Sequence, residues 1–139
     1  MDLDEAKIIT LPTESDQRGK LTFVEGSTHI PFTITRIYYL YGVPKGKTRG
    51  GHAHKETEQV MIAVSGSLVL TLDNGKGKKG TLLLKEPNEG VYIPKMMWRE
   101  MSHFSDDSVC LVLASTMYNE TDYIRNYDTF LESVKNERD

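Results

Sequence analysis

The segment Arg49-Gly50-Gly51-His52-Ala53-His54-Lys55-Glu56-Thr57-Glu58-Gln59 carries two histidines one residue apart. On an extended strand such residues share a face, with Cα atoms roughly 7 Å apart, so His52 and His54 can converge on one ligand. Two imidazoles can hold a divalent cation or move a proton. A cation needs further donors, and Glu58 is the carboxylate at hand to complete a set with His52 and His54. Proton transfer needs a bound substrate instead. Arg18, Arg36, Arg49 and Arg99 surround the motif in sequence, and guanidinium forks match phosphate oxygens bidentately. Arg18 and Arg49 each precede a glycine, where backbone can approach a ligand closely. Trp98 either offers an aromatic plane to a base or sugar or fills the core. His103, in the loop-like Ser102-His103-Phe104-Ser105-Asp106, reads as structural.

Strands must position these groups. Apolar residues recur with a period of two in Arg36-Ile37-Tyr38-Tyr39-Leu40, Val60-Met61-Ile62-Ala63-Val64, Leu68-Val69-Leu70-Thr71-Leu72 and Val109-Cys110-Leu111-Val112-Leu113, separated by Gly, Pro, Asn and Asp. That pattern predicts an all-β sandwich or barrel of antiparallel strands. Alternation puts Arg36, Tyr38 and Leu40 on one face and Ile37 and Tyr39 on the other, and leaves open which face meets the histidines. Helix is expected only at the C-terminus, over about 120–135, from Asn119 as N-cap and a stripe of Tyr123, Tyr127, Phe130, Leu131 and Val134. Residues 136–139 are expected to fray. Gly75-Lys76-Gly77-Lys78-Lys79-Gly80 matches a dinucleotide fingerprint in letters only: strand-like Thr81-Leu82-Leu83-Leu84 follows it, where the fingerprint requires a helix. It reads as a hairpin loop.

Composition narrows the classes. At 139 residues the chain is expected to form a single domain, 1–139, with a core of its own. A formal net charge of −3 argues against general nucleic-acid binding, which needs a broad basic face. No apolar run approaches a membrane span, and the start, Met1-Asp2-Leu3-Asp4-Glu5, is acidic where a signal peptide is basic, so a cytoplasmic protein that does not engage membranes is expected. The single cysteine, Cys110, lies in an apolar run and reads as core.

Gly46, His52, His54 and Gly66 resemble the first metal-binding motif of the cupins, and Pro94-Lys95-Met96-Met97-Trp98-Arg99 resembles the second. By that resemblance Gln59 stands where the carboxylate ligand belongs, although Glu58 fits the shorter spacing, and Arg99 stands where the third histidine belongs. A guanidinium stays protonated and repels a cation, so no metal is expected. The chain as a whole is similar to the sugar-nucleotide 3,4-ketoisomerases. The segments that carry this likeness are Arg18-Gly19, Arg36-x-Tyr38-Tyr39, Arg49-Gly50-x-His52-Ala53-His54-Lys55 with Glu58-Gln59, Trp98-x-Glu100-Met101, Leu113-Ala114-Ser115 and Glu120-Thr121-Asp122-Tyr123-Ile124-Arg125. The resemblance implies a double-stranded β-helix (cupin jelly roll) and a homodimer with swapped N-terminal strands. It also implies cofactor-free movement of the carbonyl of a dTDP-4-keto-6-deoxy-hexose from C4 to C3, for amino-sugar biosynthesis. His52, His54 and Tyr38 would be catalytic, and Arg18, Arg49, Arg99, Gln59, Trp98 and Arg36 would bind substrate. The alternatives are a dTDP-4-keto-sugar 3,5-epimerase, a non-catalytic sugar-nucleotide-binding cupin, and a metal-dependent oxygenase.

Overall fold

Eleven strands run from residue 7 to residue 114, with β-branched and aliphatic residues alternating in burial along several of them: β1 (Lys7–Thr10), β2 (Thr13–Asp16), β3 (Gly19–Thr22), β4 (Arg36–Tyr41), β5 (Arg49–His54), β6 (Gln59–Ser65), β7 (Leu68–Asp73), β8 (Lys79–Leu84), β9 (Glu89–Ile93), β10 (Trp98–Ser102) and β11 (Val109–Ala114). A two-residue β12 (Tyr123–Ile124) and helix α1 (Tyr127–Arg138) follow. The computed structural model describes residue 3 and residues 5–138, Arg138 by its backbone alone. The remainder of the acidic start (residues 1, 2 and 4) and residue 139 lie outside the described residues.

Two antiparallel five-stranded sheets, β1-β9-β6-β11-β4 and β12-β5-β10-β7-β8, face one another, and β2 and β3 pair as a separate hairpin. This is the jelly-roll arrangement expected for a cupin. Between the sheets lie Met61, Leu68, Leu70, Leu72, Val91 and Val112, all fully buried. Each completely buried side chain of this size contributes about 1.5–3 kcal/mol. Cys110 belongs to the same layer, and burial pushes its thiol up to about 12, so it packs as core. The Gly75–Gly80 segment bridges β7 and β8 as a hairpin, with Gly75 and Gly77 at positive φ. No helix among the described residues is long and apolar enough to cross a membrane.

The C-terminal helix differs from expectation. Asn119 caps only a 3₁₀ turn, Glu120–Asp122, accepting from the Thr121 amide, and Tyr123 then pairs with His54 as strand. The true cap is Asn126, whose side chain accepts from the Thr129 amide at 2.9 Å. From there α1 continues to Arg138, beyond the expected end at 135 and through most of the stretch expected to fray. Phe130 and Val134 pack on Ala53, Trp98 and Ile124, closing the outer face of the second sheet.

Candidate active site

β5 enters the second sheet with His52 and His54 on its inner face, while Ala53 points outward beneath α1. Opposite, β4 alternates as required: Arg36, Tyr38 and Leu40 turn inward, and Ile37, Tyr39 and Tyr41 are exposed. The two strands border a cavity of about 500 Å³ whose wall includes Arg36, Tyr38, Arg49, His52, Tyr123 and Arg125. His52 reaches this wall. His54 lies behind it, fully buried, with its ring 5.0 Å edge-to-face from that of His52.

Both imidazoles are neutral. His52 is pushed down to about 3, by burial first and then by the Arg99 guanidinium and His54, against a smaller upward pull from the Gly50 backbone. His54 falls to about 4 through burial and Arg99, with Asp122 pulling the other way. A neutral imidazole has a lone pair free to accept a proton. Among the described residues, His52 Nδ1 and His54 Nε2 are both buried without a hydrogen-bond partner.

Arg99 and Gln59 were expected at the substrate, yet both are fully buried beneath the cavity. Arg99 Nη1 donates to Gln59 Oε1 at 2.6 Å and Nη2 to the Met97 carbonyl at 2.9 Å, while Gln59 Nε2 donates to the Tyr38 hydroxyl at 3.0 Å. A guanidinium only donates, so it fixes which end of the Gln59 amide meets Tyr38. With that bond accepted, the Tyr38 proton is left for a ligand. Burial raises the Tyr38 phenol above its ordinary value, which keeps it protonated.

The residues present do not fit a cation. Of the expected ligand positions, one is an amide already engaged at both ends and one is a buried guanidinium, held down to about 10 by burial and still cationic at neutral pH. Glu58 accepts from the Tyr92 hydroxyl at 2.6 Å on the opposite side of β6 from Gln59, away from the histidines. Among the described residues no group of three His, Cys, Asp or Glu side chains is arranged to hold a metal.

One further expectation is corrected, for Trp98, and Arg18 stands apart from the cavity of its own chain. Trp98 does not reach the cavity: adjacent strand residues point oppositely, so with Arg99 inward Trp98 turns outward, 5.6 Å from the Phe130 ring and 5.2 Å from that of Tyr127. Arg18 lies in the β2–β3 hairpin, 86% exposed and paired with Asp16, outside this chain's cavity wall. Gly50 lines the cavity, and at φ 86° a Cβ there would come within 2.9 Å of the Arg99 carbonyl oxygen, so the glycine also admits β10 backbone.

Sequence reading missed Tyr118, Tyr123 and Arg125. The Arg125 guanidinium lies 4.2 Å from the Tyr123 ring centroid and is held by Glu120 at 2.7 Å. Arg36 sits between the Tyr38 and Tyr118 rings. Arg36, Arg49 and Arg125 therefore ring the mouth with positive charge, which suits an anionic ligand.

A jelly roll holding two neutral imidazoles and a phenol inside a basic mouth defines a cupin of acid–base type. Residues 4–135 match the family described as WxcM-like, C-terminal (FdtA), and the chain belongs to that family. It is 43% identical over 130 residues, 94% of this chain and 93% of the relative, to the TDP-4-oxo-6-deoxy-alpha-D-glucose-3,4-oxoisomerase of Aneurinibacillus thermoaerophilus. It is 41% identical, with a TM-score of 0.94 over 97% of each chain, to a histidine-to-asparagine variant of the 3,4-ketoisomerase QdtA of Thermoanaerobacterium thermosaccharolyticum in complex with TDP-4-keto-6-deoxyglucose. An epimerase of Mycobacterium tuberculosis, 18% identical with a TM-score of 0.75 over 88% of this chain and 69% of its own, shares the fold alone.

Proposed function

We propose that the protein isomerises TDP-4-keto-6-deoxyglucose to the 3-keto sugar by proton transfer without a metal. The observation that carries the reading is the meeting of His52 with a phenol whose proton is free, inside one basic cavity. The C4 ketone acidifies the hydrogen on C3. His52 takes that proton, the C3–H electron pair forms the C3–C4 double bond, and the carbonyl pair moves to the C4 oxygen. Tyr38 donates to that oxygen as charge develops, the interaction that lowers such barriers most. Tyr38, deprotonated once its proton has passed to O4, takes back the O3 proton as the C3 carbonyl forms, and the histidine pair, after exchange with solvent, delivers a proton to C4. Protons and electrons balance, so no redox cofactor is needed. His54 holds or relays a proton behind His52. Arg49, Arg36 and Arg125 neutralise the diphosphate.

The same reading includes a homodimer and a cytoplasmic location, where nucleotide-linked sugars are made. Support for the dimer comes from Ile37, Tyr39 and Tyr41, 58–70% exposed on the outer face of β4. A groove of about 470 Å³ between the hairpin and β6–β11 also includes Leu11, Val24, Ile62 and Leu111 in its wall. Exchange would involve the β2–β3 hairpin, since β1 pairs with β9 of its own chain, and it would carry Arg18 to the partner's diphosphate.

Incubation with TDP-4-keto-6-deoxyglucose in deuterated water, followed by NMR, tests the assignment. The expected product has its carbonyl at C3 and deuterium at C4. A carbonyl retained at C4 with label at C3 and C5 would make the protein an epimerase, and unchanged substrate would leave a binding cupin.

A further inference from the structure

Asp122 stands 68 residues from His54 in sequence and 2.7 Å from it in space, Oδ2 to Nδ1. The pairing follows from the fold. The Asn119-capped turn delivers Asp122, its carbonyl accepts from the Lys55 amide at 2.9 Å, and β12 then lies antiparallel to the end of β5. The carboxylate is fully engaged. Oδ1 accepts from the Glu56 amide at 2.6 Å, and Oδ2 accepts from Thr57 Oγ1 at 2.5 Å as well as from His54. Thr57, its proton so used, accepts in turn from Thr116 Oγ1 at 2.6 Å. Burial alone would raise the Asp122 carboxyl, but the bonds from Thr57, His54 and the Glu56 amide together hold it below its ordinary value. An ionised carboxylate only accepts, so the His54 proton resides on Nδ1 and the lone pair on Nε2.

We propose that Asp122 is the positioning residue for the second imidazole, locking His54 as a proton acceptor at Nε2, behind His52. Among the described residues nothing else sets that tautomer, because Nε2 is buried and has no hydrogen-bond partner there. Asp122 also offsets the positive charge when His54 accepts a proton, since an imidazolium formed beside Arg99 would otherwise stand against a buried guanidinium. The role rests on the isomerase reading, but the tautomer does not.

Asp122→Asn is an almost isosteric test. With its carbonyl kept on the Glu56 amide, the asparagine NH₂ falls where Oδ2 was and can donate to both His54 Nδ1 and Thr57 Oγ1. Thr57 can then turn its own proton to Thr116, so every partner stays satisfied while the His54 proton is forced to Nε2. In ¹⁵N-histidine-labelled wild-type protein, NMR should find the His54 proton on Nδ1; finding it on Nε2 overturns the proposal without any substrate. In Asp122→Asn the proton should move to Nε2 and kcat should fall about 10²–10⁴-fold with KM little changed. An unchanged kcat, or a reduced kcat with the proton still on Nδ1, overturns it. Asp122→Glu keeps a carboxylate and is expected to retain the Nδ1 proton and recover part of the rate. If Glu and Asn are equally impaired, the proposal fails whether or not the Asn variant is stably folded.

Discussion

Gln59 donates to the hydroxyl of Tyr38 at 3.0 Å from a position fully buried beneath the cavity. The Arg99 guanidinium holds the other end of the amide, so its charge acts through two hydrogen bonds on the direction of one phenolic proton. Gln59→Glu should reverse that direction, because a carboxylate accepts the Tyr38 proton that the amide leaves free. It should also pair Arg99 with an opposite charge. The expected result is a kcat lower by about 10²–10³-fold, the usual cost of one lost oxyanion donor, with a melting temperature no lower than that of the wild type. Steady-state kinetics and calorimetry on the same sample separate the two effects.

Stability should fall with acid earlier than carboxylate titration would bring about. His52 and His54 are held at about 3 and about 4 when folded, below the 6.5 of the free side chain. The unfolded chain therefore binds the extra protons. The stabilisation is complete above pH 6.5 and is lost as pH falls toward 4, at up to about 1.4 kcal/mol per histidine per pH unit. Urea unfolding across that range should show the slope, and His52→Asn should lessen it. Activity of the folded enzyme should persist below pH 6.5, because the bases stay neutral there.

Trp98→Ala should cost about 3–5 kcal/mol of stability and leave nucleotide affinity unchanged. The indole packs against Phe130 and Tyr127 on the far side of its sheet from the cavity. Denaturant unfolding gives the first quantity and titration calorimetry with TDP the second.

Arg49→Ala and Arg125→Ala should each weaken TDP binding by about 1.5–3 kcal/mol, the range for hydrogen bonds to charged groups. The loss should shrink as salt is added, since both side chains lie at the open mouth. Calorimetry at low and high ionic strength measures it.

Much of this was legible before the fold was known, for reasons tied to particular residues. A period of two on one strand places His52 with His54 and Tyr38 with Arg36, so the faces needed only one choice, and β4 made it. The same rule separates Trp98 from Arg99, yet composition drew both toward the ligand because aromatic and guanidinium groups suit nucleotides. Asp122 was hidden for a different reason. Its turn is capped by Asn119 and followed by aromatic spacing that imitates a helix start, and β12 is too short to show a period. Pairing across 68 residues leaves no local trace. Arg18 remained at the diphosphate by resemblance alone, and within one chain it is a surface hairpin residue.

The central claim is that an uncoordinated His52 removes the C3 hydrogen of the bound keto sugar. It is tested most directly by following deuterium release from substrate labelled at C3, using exhaustively chelated wild type and His52→Asn. Chelated wild type should turn over at full rate with a primary isotope effect, and His52→Asn should bind TDP normally while releasing no label. Label released by His52→Asn, or a wild-type rate lost on chelation and restored by a divalent ion, would contradict it.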